Sequence, residues 1–318
     1  MEDSQIVRQL LERGTLVFDG ATGTALHAQT EDGEPIEHLC LSAPQCVLKL
    51  HQAYLAAGCQ AIKTNTFAAH VSLACENEEQ QREVILAAWA LARRAAEGYQ
   101  AAVFADIGPA AIETENAAAD YCAMADLFLE AGATCFLFET MPTDKGLAEA
   151  AAHIRKCCPQ AFILVSFAAG ADGFTRAGEQ AEKLIAKMSV CKDVDAVGLN
   201  CICGAYHMRK LLSGIRVGKV AQRDAQRGLS ACRGRADVLR QRSGILCAAG
   251  GSLYSAGRAH RGWMLWNDAR AYSADCQAGW SCGSARVRTV RKENPAGKAG
   301  LQEQNQAKAR RGKACHSG

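Results

Sequence analysis

Thr134-Cys135-Phe136-Leu137-Phe138-Glu139 is an apolar run of strand length that stops on a carboxylate. Residues 15–19, 60–64, 101–107, 161–167 and 196–201 repeat the pattern, and between them segments 47–57, 81–97, 119–131, 143–156 and 180–188 carry apolar residues at helical spacing. Strands that are apolar throughout need cover on both faces. Alternation with helices supplies it, so the pattern predicts an α/β fold with a parallel sheet. Six such units fit either a (β/α)8 barrel that stops two strands early or a doubly wound sheet, and the strand ends separate the two. Asp19, Thr64 with Asn65, Asp106, Glu139, Ser166, and Asn200 with Cys201 put a polar group at each carboxyl end, the face on which a TIM-type barrel gathers its site. The expected fold is that barrel, with about six βα units present and its last two strands missing.

The missing strands coincide with a change of composition. Residues 1–218 hold 17 Lys and Arg against 27 Asp and Glu, whereas residues 219–318 hold 19 against 6. All nine phenylalanines precede Lys219, and the last hundred residues carry a single isoleucine, Ile245, and fourteen arginines. Such a segment can hardly build a core. The expected organisation is an incomplete barrel over 1–218 and a basic, disordered tail over 219–318. The whole chain, 318 residues and 49% hydrophobic, is neither disordered nor collagen-like in composition. It has no apolar run long enough for a membrane span, and residues 1–14 are polar and charged rather than leader-like, which predicts a cytoplasmic protein with no membrane partner. Sixteen cysteines in that setting point to reduced thiols or metal ligands rather than a disulfide framework.

Three strand ends carry chemistry. Phe18-Asp19-Gly20-Ala21-Thr22-Gly23-Thr24 offers backbone N–H groups suited to a carboxylate, or forms a tight βα turn. Glu139 puts an acid on the rim of an apolar strand, placed for a substrate ammonium or for the N-terminus of a following helix. Cys201, in Gly198-Leu199-Asn200-Cys201-Ile202-Cys203-Gly204, is a candidate zinc thiolate or a buried hydrophobe. The pair Cys157-Cys158 ends a helix just before Pro159, on the face opposite the strand ends, and reads as inert.

In this order the motifs resemble the zinc-dependent homocysteine S-methyltransferase family, which includes the homocysteine-binding module of methionine synthase and the version fused to methylenetetrahydrofolate reductase. The resemblance runs from Leu16 to about Val217. It comprises Asp19 to Thr24, His51-Gln52-Ala53-Tyr54-Leu55-Ala56-Ala57-Gly58, Lys63-Thr64-Asn65-Thr66-Phe67, Ile107-Gly108-Pro109, Phe138-Glu139-Thr140, Ser166-Phe167, and Gly198 to Cys201 with Gly204 and Met208. It implies a (β/α)8 barrel whose zinc is held by three thiolates, one after the sixth strand and a Cys-Cys pair after the eighth. Cys201 matches the first ligand. The resemblance further implies that Asp19 and Glu139 hold the amino acid end of homocysteine, that backbone around Gly20 to Thr24 takes its carboxylate, and that Asn200 helps orient the sulfur side. Three thiolates leave zinc a fourth position, where homocysteine sulfur loses its proton and attacks a methyl group. The implied methyl donor is methyltetrahydrofolate, methylcobalamin, S-methylmethionine or S-adenosylmethionine.

The Cys-Cys pair is absent. Cys232, Cys247, Cys276, Cys282 and Cys315 are isolated, so two of the three expected zinc ligands are lacking. The genetic code suggests why. Trp263 and Met264 have one codon each, and reading Trp263-Met264-Leu265-Trp266-Asn267-Asp268 one base downstream gives Gly, Cys, a residue that can be Cys, Gly, and two that are each Thr or Met. Residues 269–273 can follow as Pro-Glu-His-Ile-Arg, which restores the family's zinc motif. The same shift over residues 224–230 permits Met-Pro-Asn-Ala-Gly-Tyr-Pro, the turn expected after strand seven. These recoveries imply a single-base frameshift between about Met208 and Arg223. The functional expectation is a homocysteine S-methyltransferase impaired in the chain as written, with open edges at strands one and six. The alternatives are a nucleic-acid-binding protein using Arg310-Arg311 and the stretch from Arg286 to Lys292, which lack helical periodicity or aromatic interleaving, and a barrel that binds homocysteine without catalysis.

Overall fold

The computed structural model describes residues 1–13, 16–27, 34–71, 73–111, 116–203, 207, 210 and 211, together with the backbone of 244–249 and 252–255. Helices α1 (Asp3–Arg13), α2 (Thr22–His27), α3 (Leu39–Ser42) and α4 (Pro44–Ala56) lead to strand β1 (Ala61–Lys63). Strict alternation follows: α5 (Glu78–Ala96), β2 (Ala102–Ile107), α6 (Ala117–Glu130), β3 (Cys135–Met141), α7 (Leu147–Cys157), β4 (Phe162–Phe167), α8 (Ala181–Met188) and β5 (Ala196–Asn200). All five strands pair in parallel and in chain order, with Ile62 opposite Val103, Asp106 opposite Leu137, Phe138 opposite Val165 and Ser166 opposite Gly198. The first expected strand is reduced to one parallel bridge, Phe18 with Ala61. The result is the curled parallel sheet of a TIM-type half-barrel.

Each strand sorts its residues by parity. Ala102 and Phe104, Cys135 and Leu137, Phe162 and Leu164, and Ala196 form a compact inner cluster with Leu16 and Phe18. The intervening Val103, Ala105, Ile107, Phe136, Phe138, Ile163, Val165, Phe167, Val197 and Leu199 face the helices in a larger core. This period of two is what a strand buried on both faces imposes.

Helix α1 closes the inner cluster from below, where its Val7 packs. Several of its polar contacts go to residues at or just before strand starts: the backbone N–H of Ser4 donates to Thr134, Asp3 accepts from the N–H of Val103, and Arg8 donates to the carbonyl of Ala161 and to Asp195, while Asp3 also pairs with Arg93 of α5. Composition marked residues 1–14 only as polar. The structure makes a helix of 3–13 whose Asp3, Ser4 and Val7 are buried.

The tail departs from expectation in one place. The edge of β5, the sixth expected strand, is not open: β6 (Gly244–Ala249) pairs with it in parallel, and β7 (Ser252–Ser255) returns antiparallel to β6. An edge strand presents unpaired N–H and C=O groups, and an apolar extended segment satisfies them whatever its origin. The antiparallel return of β7 departs from barrel topology. The rest of the expected disordered tail, and the residues named for nucleic-acid contact, lie outside the described residues. Among the described residues no helix is long and apolar enough to cross a membrane.

Candidate active site

The inner parity of the strands continues upward past the apolar layers. After Phe104 comes Asp106, after Leu137 comes Glu139, after Leu164 comes Ser166, and β1 adds Lys63 two residues after Ala61. Asn200 closes β5 in the same way. Alternation therefore delivers a ring of polar side chains directly above a hydrophobic plug.

The ring is hydrogen-bonded into one network. Lys63 Nζ donates to both carboxylate oxygens of Glu139, at 3.0 and 3.2 Å, and the two side chains are only 16% and 13% exposed. Asn200 Nδ2 donates to Glu139 Oε1 at 2.9 Å and to Thr140 Oγ1 at 2.8 Å, and lies 3.4 Å from Cys201 Sγ. Its Oδ1 accepts from Ser166 Oγ and from the N–H of Thr140, which fixes which way the amide points. Asp19 Oδ2 accepts the N–H of Lys63 at 3.0 Å. Asp19, Glu139, Asn200 and Cys201, four residues singled out from sequence, thus belong to one connected cluster.

The other two stand beside it. Gly20 is pressed against Tyr54, where a β-carbon would come within 2.7 Å of the phenol oxygen, so only glycine lets the chain turn there. Thr24 is exposed on α2. Sequence reasoning gave no role to Lys63. The signal was present, since a lysine at an inward register position above Ala61 must find a carboxylate when the strand is buried.

Three acids surround one ammonium in this site. Burial pulls the Lys63 ammonium down, yet the charges of Glu139, Asp19 and Asp106 outweigh it and hold it above the ordinary lysine range. Burial pushes the Asp19 carboxyl up to about 7, against the pull of Lys63. Asp106 is also raised well above the usual carboxylate range, by burial, by repulsion from Glu139 and by a hydrogen bond to it; two carboxyls can share such a bond only around a proton. One oxygen each of Asp19 and Asp106 is buried without a hydrogen-bond partner among the described residues. Carboxyl oxygens left without a partner suit a strong donor such as a primary ammonium.

At the edge of this network the backbone is strained. Thr140, Cys201 and Ile202 have φ of 62°, 57° and 58°, a region that costs a non-glycine residue about 1–2 kcal/mol. The conformation carries the chain out of β5 and leaves Cys201 exposed beside Thr140, whose Oγ1 is 3.7 Å from Sγ. Burial of the sulfur and the nearby Glu139 charge raise the Cys201 thiol, so an unliganded Cys201 stays protonated.

A family model described as homocysteine S-methyltransferase matches residues 16–240. Among solved structures, the metallated form of the homocysteine methyltransferase MmuM from Escherichia coli is similar with a TM-score of 0.56 and 22% identity, covering 66% of this chain and 84% of that one. The apo form of the same enzyme gives a TM-score of 0.55 and 25% identity over 66% and 82% of the two chains. No curated protein sequence matches significantly.

Proposed function

The chain belongs to the homocysteine S-methyltransferase family, and from that premise we propose that the strand-end network receives the amino-acid end of homocysteine. Glu139 and Asp19 take the ammonium, backbone from Gly20 to Thr24 takes the carboxylate, and Asn200 orients the sulfur side toward Cys201. The observation that carries this reading is the reach of Asn200, which is bonded to Glu139 and touches the Cys201 sulfur. The cationic and sulfur ends of one short ligand then fall within the span of one fixed amide. Three carboxyl groups against one ammonium favour the zwitterion's positive end.

Zinc does not fit the chain as written. A zinc ion that keeps one position for a substrate thiolate needs three protein ligands. Among the described residues Cys201 is the one thiol at this network, since Cys203 packs against the helix-facing core and burial raises its thiol. No methyl-transfer step through zinc follows for this chain. A one-base frameshift that puts most of 219–318 out of frame accounts for the missing pair, and makes the present chain a homocysteine-binding barrel derived from a methyltransferase. The eleven cysteines among the described residues are all free, which suits a reducing, cytoplasmic setting.

Calorimetric titration with L-homocysteine and with 4-mercaptobutyrate, which lacks the amine, tests the receptor. Glu139→Gln is expected to weaken homocysteine at least about tenfold, the low end for a lost charge-assisted hydrogen bond, and to leave the deaminated analogue unchanged. Equal losses for both ligands would refute the assignment. For the tail, homocysteine methylation is expected only from a version with the reading frame restored. Turnover by the chain as written, with any of the four donors, would overturn the frameshift reading.

A further inference from the structure

The fold separates the pair that ends α7: Cys158 is buried, whereas Cys157 is exposed. One turn before Cys157 on the same helix stands His153, and positions four apart share a face. That face meets Asp126 of α6, whose Oδ1 lies 2.6 Å from His153 Nε2. The donor atoms of Asp126, His153 and Cys157 all fall within 4.8 Å of one another.

We propose that Asp126, His153 and Cys157 form a binding site for a borderline-soft divalent cation such as zinc. Imidazole, thiolate and carboxylate are the zinc donor set, at bond lengths of about 2.0–2.3 Å. Tetrahedral angles at those lengths put the imidazole nitrogen and carboxylate oxygen roughly 3.4 Å apart, so the present contact must open by less than about 1 Å. His153 and Asp126 are 33% and 51% exposed, and side chains that free can move that far. The cation takes the place of the proton between them and displaces the thiol proton of Cys157 to solvent. Helices in this fold run opposite to the strands, and Cys157 closes α7 a few residues before β4 begins. The cluster therefore lies toward the end of the sheet remote from Cys201, and the zinc content of the whole protein reports on it rather than on the strand-end network.

Cobalt(II) titration of the full chain, followed by thiolate-to-cobalt absorption and by zinc competition, decides the matter. The expected result is a charge-transfer band that survives Cys201→Ser, disappears in Cys157→Ser, and needs at least about tenfold more cobalt in His153→Ala, as loss of one of several ligands predicts. Metal-free thermal unfolding of the two α7 variants should match the parent, which shows that they fold. A band that persists in Cys157→Ser, a band lost only in Cys201→Ser, or no thiolate-cobalt band at all in the parent protein would each overturn the site.

Discussion

The lower and upper parts of the same inner strand face behave as two materials. Below, Phe104, Leu137 and Leu164 exclude water and make a plug in which any polar atom would be a fault. Above, two residues further along the same strands, Asp106, Glu139 and Ser166 form a polar ring that leaves carboxylate oxygens unmatched. Side-chain direction is identical in both, because the period of two is set by the backbone. What differs is only how far along the strand one reads, so stability and recognition are graded along one axis rather than assigned to separate elements.

The sharpest way to break that division is to cut into the plug. Phe104→Ala removes a fully buried ring that packs on Phe18 and Phe162, and is expected to cost about 3–5 kcal/mol in urea unfolding. A loss below about 1 kcal/mol would mean the inner cluster is not the structural half of the face. In the ring above, Lys63→Met leaves three acids with no ammonium among them. Breaking a buried pair costs up to about 3–5 kcal/mol, and with 16% exposure of Lys63 the lower figure, about 3 kcal/mol, is expected at pH 8. The penalty should shrink toward pH 5, as protonation relieves the carboxylates; a penalty independent of pH would show that Lys63 acts by packing alone.

His51 sharpens the contrast from outside the sheet. On α4 it is fully buried, and neither ring nitrogen has a hydrogen-bond partner among the described residues. Burial lowers it from 6.5 to about 4. The neutral ring is the form the fold accepts, so its contribution is whole above about pH 6.5 and is lost as pH falls through about 4. Relative to His51→Gln, the parent should lose about 2–3 kcal/mol across that window, since each tenfold change in proton affinity is worth about 1.4 kcal/mol. Asp19 has the opposite sign, favouring the fold when protonated and losing that contribution as pH rises through about 7. The smallest effect belongs to the surface. Arg82→Ala breaks an ion pair with Glu130 in which both side chains are at least half exposed, and a change within about 0.5 kcal/mol is expected; a larger one would make the helix layer more than a cover.

Much of this was legible because long apolar runs admit few arrangements. Residues 101–107, 134–139, 161–167 and 196–201 became strands within a residue or two at either end, and the helices between them formed with ends up to four residues from expectation, as at α7, which begins at Leu147 rather than 143. The run at 15–19 shrank to an isolated bridge, Phe18 with Ala61. Helix α1 was missed because its burial is small, with Val7 its one fully buried apolar side chain; polar sequence conceals a floor held by Asp3 and Arg8. The acids of the site were visible as strand-end residues. Their mutual arrangement was not, since the Lys63–Glu139 pair joins residues 76 apart, and only strand order brings them together. The surface cluster on α6 and α7 was hidden for the same reason: the sequence shows Cys157 beside Cys158, whereas the helix pairs it with His153 and Asp126.

The pairing of Gly244–Ala249 with β5 has a consequence for behaviour in a crowded cell. An unpaired ladder edge is a template with almost no sequence requirement, and in solution its usual customer is another copy of the chain. Here the customer is tethered. A segment linked to the edge by some forty residues of its own chain competes at an effective concentration near the millimolar range, far above that of any second molecule. A sheet edge can therefore be sealed by an extended, apolar stretch of its own chain, and need not yield a polymerising product.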